Sequence, residues 1–312
     1  MDFYRRRVFR ILLAYLFVLL LYYAWPTWRE QPGISPPWQF LTFTLNYFID
    51  YANDKAFSHA WSLCVEEHFY LLLPLVLLAM MRRPSFGKTA FAFAFLVSTG
   101  VALRALVFFH GVRPAGEMSA LAYLERMYYP THMRLDGLLV GVALALVRAF
   151  RTGWWAVVER CGHAMAAAGV LLLSLSLWLS SNRFDFGTNT AMSNVILGPL
   201  LLSLAFGLLT VSAMSRNGWL ARIRIPGART VALLAFSLYL THKEMAHLAD
   251  VYLPQLTTHR DLKTTVVYTM SCLLGAGMVY VGLERPFVLL REGLDRRRAV
   301  TVERTMLVDP AF

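Results

Sequence analysis

Charge is scarce in this sequence. Only 16% of its 312 residues are Asp, Glu, Lys or Arg, against about 25% in a soluble domain, while 57% are hydrophobic and the mean hydropathy is +0.50. A water-soluble fold is excluded, and much of the surface must face lipid. Cysteine is scarcer still. Cys64, Cys161 and Cys272 are odd in number and widely spaced, so they supply neither a zinc pattern nor a disulfide framework. The sequence contains no G-x-S-x-G turn, no H-E-x-x-H pair and no phosphate-cradling G-x-x-x-x-G-K-[ST] loop, and none of its eight His residues has Asp five positions later. Covalent serine chemistry, ATP-driven transport and a resident metal are accordingly not expected. The N-terminal apolar run reaches Tyr23 without a small-residue cleavage site, so no removable leader is expected.

What the sequence has in quantity is long apolar runs. Candidate membrane spans are Val8 to Trp25, Ala60 to Met81, Thr89 to Phe109, Leu135 to Phe150, Ala164 to Leu179, Val195 to Met214, Val231 to Leu248 and Thr264 to Leu283. The fold class expected is all-α, a polytopic transmembrane helix bundle of about eight spans. It occupies residues 1–290, followed by a charged cytoplasmic tail at 291–312. Gln31 to Asn53, rich in Pro and aromatic residues, reads as an outer re-entrant or interfacial segment. Gly137 and Gly141 form a small-xxx-small face that predicts close helix packing.

The net charge of +11 sorts by side of the membrane. Assigning loops alternately, with Arg5, Arg6, Arg7 and Arg10 inside, puts twenty of the 30 Lys and Arg on the starting side and eight opposite, with Arg104 and Lys243 inside spans. Seven acids share the basic side, leaving about +13 there and −2 elsewhere. The positive-inside rule then makes both termini cytoplasmic. The basic balance is a topology signal, and no nucleic-acid partner is expected.

Ionisable residues within spans are costly, roughly 2.5–3.5 kcal/mol each on an insertion scale, and therefore mark function or pairing. Four groups stand out: Glu66, Glu67 and His68; Arg104; His132, Arg134 and Asp136; and His242, Lys243 and Glu244. With alternating spans, all four fall at one depth under the outer face, which predicts a polar chamber there. Glu66 and Glu67 lie about 100° apart on a helix, so one can face the chamber while the other braces the bundle. The alternative makes both of them structural partners of Arg104 or Lys243. If Thr131 to Gly137 is helical, His132 and Asp136 share a face four residues apart, the carboxylate orienting the imidazole as a base. The alternative has Thr131 capping the helix and His132 at the wet interface. Tyr239 and His242, three apart, also share a face.

The string Trp61-Ser-Leu-Cys-Val-Glu-Glu-His-Phe-Tyr-Leu-Leu-Leu-Pro74 resembles the acyltransferase-3 family of bacterial integral-membrane O-acyltransferases. Arg6 to Ile11, Thr131 to Gly137, Ser237 to His242 and Leu283-Glu-Arg-Pro-Phe287 support it in the right order. The resemblance implies transfer of an acyl group, often acetyl, from cytoplasmic acyl-CoA to a hydroxyl of an envelope saccharide or a lipid-linked acceptor, at the bacterial inner membrane. It implies that Arg7 and Arg10 match an R-x-x-R on the acyl-CoA side. The expected catalytic groups are Glu66 and His242, with His132 and Asp136 as a second base, and Arg104 or Arg134 for charge stabilisation. Glu67 and Tyr239 complete the expected substrate contacts. Leu13 stands where the family has Pro, and His68 where Gln is common. The family's first two spans, with an intramembrane His, are expected to be missing, which makes an inactive truncated member one alternative reading. A transporter or flippase of a lipid-linked sugar is the other.

Overall fold

The computed structural model describes residues 4, 7–82, 85–181, 189–259 and 261–295. The tail expected at 291–312 therefore lies mostly outside the described residues, as do Arg5 and Arg6. Among the described residues there is no strand. The longer helices are α1 (Leu13–Ala24), α2 (Trp61–Met81), α3 (Phe86–Val107), α4 (Asp136–Phe150), α5 (Thr152–Arg160), α6 (Gly162–Ser180), α7 (Asn189–Met214), α8 (Ala228–Tyr252) and α9 (Leu262–Val279). Each of the eight apolar runs falls on one of these helices. Among the described residues, five stretches are long and apolar enough to cross a membrane: Ser58–Leu78, Phe86–Gly116, Gly162–Ser180, Ala191–Met214 and Leu262–Asp295. The pair α4 and α5, bent by 111° at Arg151, would make a sixth. α1 is short, although a π-helical turn (Val8–Leu12) leads into it, and α8 carries His242, Lys243 and Glu244. Large apolar side chains such as Phe91, Leu171, Trp178 and Leu274 stand exposed along the helices, as lipid contact requires. The chain is a multi-pass membrane protein.

Two compact units make up the chain, Ser35–Arg224 and the pairing of Met1–Ile34 with Ile225–Phe312. In the first, α6 and α7 run against each other at small residues. A Cβ added to Gly169 would lie 2.9 Å from the Leu209 side chain and 3.1 Å from the Ala205 carbonyl oxygen. α4 approaches α7 at Gly207, where an added Cβ would come within 2.7 Å of Val140 Cγ1. The glycine face expected on α4 is therefore only half a contact: Gly137 lies near Ser203, while Gly141 has nothing within 4 Å of its Cβ position.

The segment at 31–53 folds as short helical turns, Pro37–Leu41 and Leu45–Phe48, joined at Phe43 in the left-handed region (φ 55°). Its Asp50 accepts the Ala52 and Asn53 amides and the Asn53 side chain. The Asn53 bonds hold its carboxyl below the ordinary carboxylate value.

In the second unit, α8 and α9 pack side by side, and at Gly275 the Cβ position is filled by the Met245 side chain. Asp261 caps α9 by accepting the Thr264 amide at 2.9 Å. That bond holds the Asp261 carboxyl below its ordinary 3.8, so its contribution is present above that pH and is lost on acidification. The buried Ser237 hydroxyl of α8 donates to Glu284 Oε2 at 2.8 Å, in the π-helical turn Tyr280–Glu284 that follows α9. Two of the sequence strings singled out above thus meet in one hydrogen bond.

Candidate functional site

Within the unit Ser35–Arg224, the residues of interest gather where α2, the 45–48 turn and the chain entering α4 come together. Pro130 holds an extended backbone, Thr131–Met133 forms a single 3-10 turn, and Arg134 is non-helical (φ −129°), so α4 begins only at Asp136. The condition of a continuous helix over Thr131 to Gly137 is not met, and the His132–Asp136 pairing that depended on it does not form. His132 is instead exposed, its ring stacked on Tyr47 at 6.1 Å and 11°.

Asp136 is committed elsewhere. Both carboxylate oxygens accept from Arg104 of α3, at 2.6 and 3.0 Å. The same guanidinium donates to the Met133 carbonyl at 2.9 Å and, through Nε, to the Ile196 carbonyl of α7 at 2.8 Å. Arg104 is 1% exposed and Asp136 4%. Four of the five guanidinium donors are thereby engaged, which makes Arg104 a brace joining three segments and not a group waiting for developing charge.

Arg134 is placed differently. Its guanidinium lies 4.2 Å from the Tyr128 ring centre and 5.5 Å from that of Trp61, the first residue of α2, a cation–π seat that leaves it half-buried. Glu66 and Glu67 follow one turn or more along α2, both half-buried. Of the two cations anticipated as partners of these acids, Arg104 is held by Asp136.

The sequence marks His68 as a charged-group member of its span but assigns it no catalytic or binding role. Its Nδ1 shares a hydrogen with Thr131 Oγ1 at 2.8 Å, and that oxygen accepts the buried Asn46 amide, also at 2.8 Å. Tyr47, which stacks on His132, also packs 5.7 Å from the same imidazole. The tethering to Thr131 fixes the His68 ring and directs Nε2 away from the hydrogen-bonded edge. No local signal could have found this, because the partner lies 63 residues away. Thr131→Val should leave the buried Asn46 amide with only its longer bond to the Tyr129 carbonyl (3.4 Å), at a cost of about 1 kcal/mol. A thermal melt in detergent checks this, and an unchanged midpoint would mean that the tether carries no weight.

In the other unit, α8 presents Tyr239 and His242 on one face, with ring centres 6.5 Å apart. The His242 Nδ1 sits 2.9 Å from the Tyr239 carbonyl and 3.2 Å from that of Leu238. Carbonyls only accept, so Nδ1 carries the proton and the lone pair is on Nε2, the tautomer a general base needs. Cys272 of α9 donates to the His242 carbonyl. Lys243 lies 3.8 Å from Glu30, whose other oxygen accepts the Tyr22 hydroxyl at 3.0 Å. Glu244 is fully buried, and neither carboxylate oxygen has a hydrogen-bond partner among the described residues. Arg7 is half-buried at the start of the N-terminal helix, and the backbone of Arg10 lies in the π-helical turn that packs on Tyr280–Glu284.

Comparison with known proteins decides the family. The model for the acyltransferase domain matches residues 1–282. The chain belongs to the acyltransferase-3 family. Relatives include the O-acetyltransferase OatA of Staphylococcus aureus (strain NCTC 8325 / PS 47), 27% identical over 160 residues, which span 47% of this chain and 25% of that protein. YrhL of Bacillus subtilis (strain 168), provisionally named a peptidoglycan O-acetyltransferase, is also 27% identical over 160 residues, 47% of this chain and 24% of that protein. A protein of S. aureus (strain COL), provisionally named an O-acetyltransferase, is 23% identical over 259 residues, 80% of this chain and 39% of its own length. The matches to OatA and YrhL span about a quarter of the length of those relatives. No solved structure gives a significant match.

Proposed function

We propose that this acyltransferase-family chain is a membrane O-acetyltransferase that moves acetyl from cytoplasmic acetyl-CoA to a hydroxyl of an envelope saccharide, of which peptidoglycan is the type named for one relative. The observation that carries this reading is His242, whose tautomer is set by backbone carbonyls with its base nitrogen at Nε2, on a chain whose family model covers residues 1–282.

In the transfer, the acceptor oxygen attacks the thioester carbonyl carbon, the C–O bond forms, and the C–S bond breaks. The hydroxyl proton passes to a base and finally to the departing thiolate, which leaves as free CoA thiol. His242 serves as that base, and Glu66 binds the acceptor hydroxyl and shares in moving its proton. Arg134, rather than the committed Arg104, stabilises the developing oxyanion. Asp136 acts only by holding Arg104, and His132 with Glu67 and Tyr239 contacts the acceptor. Arg7 and Arg10 hold CoA phosphates, for which a pair of guanidinium groups is suited. The proposal includes eight crossings of the bacterial inner membrane with both termini cytoplasmic, a bundle over 1–290 and a cytoplasmic tail over 291–312.

Mass spectrometry of envelope saccharides from cells with and without the chain tests this. The reading predicts added acetyl groups that mild alkali removes. Saccharide that is exported unmodified would instead favour transport.

A further inference from the structure

We infer that the cleft between α4 and α7 is a binding site for an anionic phospholipid, taking one acyl chain along its length and the phosphate at Arg148 and Arg151. The cleft encloses about 730 Å³, within the usual range of ligand pockets, and is walled by Leu144, Leu202, Phe206 and Val211 over a floor at Gly141.

Its polar groups are already used. The Ser203 hydroxyl donates to the Pro199 carbonyl at 2.6 Å and that of Thr210 to the Phe206 carbonyl at 2.7 Å. What the wall offers a ligand is hydrocarbon, which disfavours a saccharide. From Gly137 at one end to Arg148 at the other, the lining of α4 spans eleven residue steps, roughly 16 Å at 1.5 Å each. That is about one leaflet of a ~30 Å hydrocarbon core.

One end alone is cationic. The Arg148 guanidinium lies 5.6 Å from the Trp155 ring centre, and both residues line the cleft. Arg151, outside the lining and three residues after Arg148, sits over Phe86 at 4.7 Å and Trp154 at 5.8 Å. The nearby acid Glu159 accepts the Trp155 indole N–H at 2.9 Å. Among the described residues, neither guanidinium has a carboxylate partner. α5 turns away at this end through the 111° bend and exposes Trp154 and Val157, the residue types of a helix lying in a membrane interface. Hydrocarbon walls that end at Arg148, with the aromatic-seated Arg151 three residues further along the chain, complement a lipid with a negative headgroup. With the orientation proposed above, that lipid belongs to the inner leaflet. Binding itself does not depend on acyl transfer.

Native mass spectrometry of the delipidated, detergent-purified chain tests the site, with phosphatidylglycerol, phosphatidylcholine and a polyisoprenyl phosphate added in turn. Phosphatidylglycerol should be retained preferentially. The double variant Arg148→Ala, Arg151→Ala should weaken it about 30-fold, the equivalent of roughly 1 kcal/mol per basic side chain. Gly141→Phe, which fills open space, should displace it while the melting midpoint stays unchanged. Equal retention of phosphatidylcholine, stronger retention of the polyisoprenyl phosphate, or insensitivity to both variants would each overturn the inference.

Discussion

Arg104→Met should unfold a large fraction of the protein. The substitution keeps the side-chain volume but leaves the Asp136 carboxylate buried without its partner, a loss of about 3–5 kcal/mol, on the scale of a whole domain's stability. It also removes the donors to the Met133 and Ile196 carbonyls. Asp136→Leu alone should be comparably damaging, because it leaves the guanidinium buried and unpaired. The double variant should be less destabilised than the sum of the two, since removing both charges removes the unpaired charge itself. Fluorescence-detected size-exclusion chromatography with thermal challenge reads all three. Additive losses, or a tolerated Arg104→Met, would show that the pair is not the brace that its geometry indicates.

The second large effect is on chemistry. Glu66→Gln and His242→Ala should each reduce acetyl transfer by about 10²–10⁴-fold, the usual contribution of a positioned proton-transfer group, with the melting midpoint held. His242→Ala removes the imidazole whose Nε2 would take the proton, while Glu66→Gln keeps the shape and loses the charge. Initial rates with saturating donor check both. Transfer that persists unchanged in both variants would remove these residues from the mechanism.

The helices were legible because lipid imposes a simple rule: apolar runs of the right length become helices, since no other open structure satisfies their backbone groups. Hence Val195 to Met214 falls inside α7 and Ala164 to Leu179 inside α6. The number of crossings is less legible, because α8 is long enough but interrupted by three ionisable residues, and α4 stops at Arg151, where the chain turns sharply. Around the candidate site, the side-chain pairings were not legible. Sequence spacing suggested His132 with Asp136, four apart. The backbone break at Arg134 separates them, and Arg104, 32 residues upstream, takes the carboxylate. The partner of His68 was illegible for the same reason, since the Thr131 hydroxyl that fixes it is distant in sequence. Local periodicity encodes which face a side chain occupies, while the identity of its partner depends on how helices from distant parts of the chain meet.

The most direct measurement is acyl transfer in sealed inside-out membrane vesicles carrying the chain, with acetyl-labelled CoA supplied at the exposed cytoplasmic face and the saccharide fraction then isolated. The account predicts label in that fraction as an alkali-labile ester, abolished by His242→Ala. Intact thioester together with an unlabelled saccharide fraction, under conditions where the protein is folded and inserted, would contradict it.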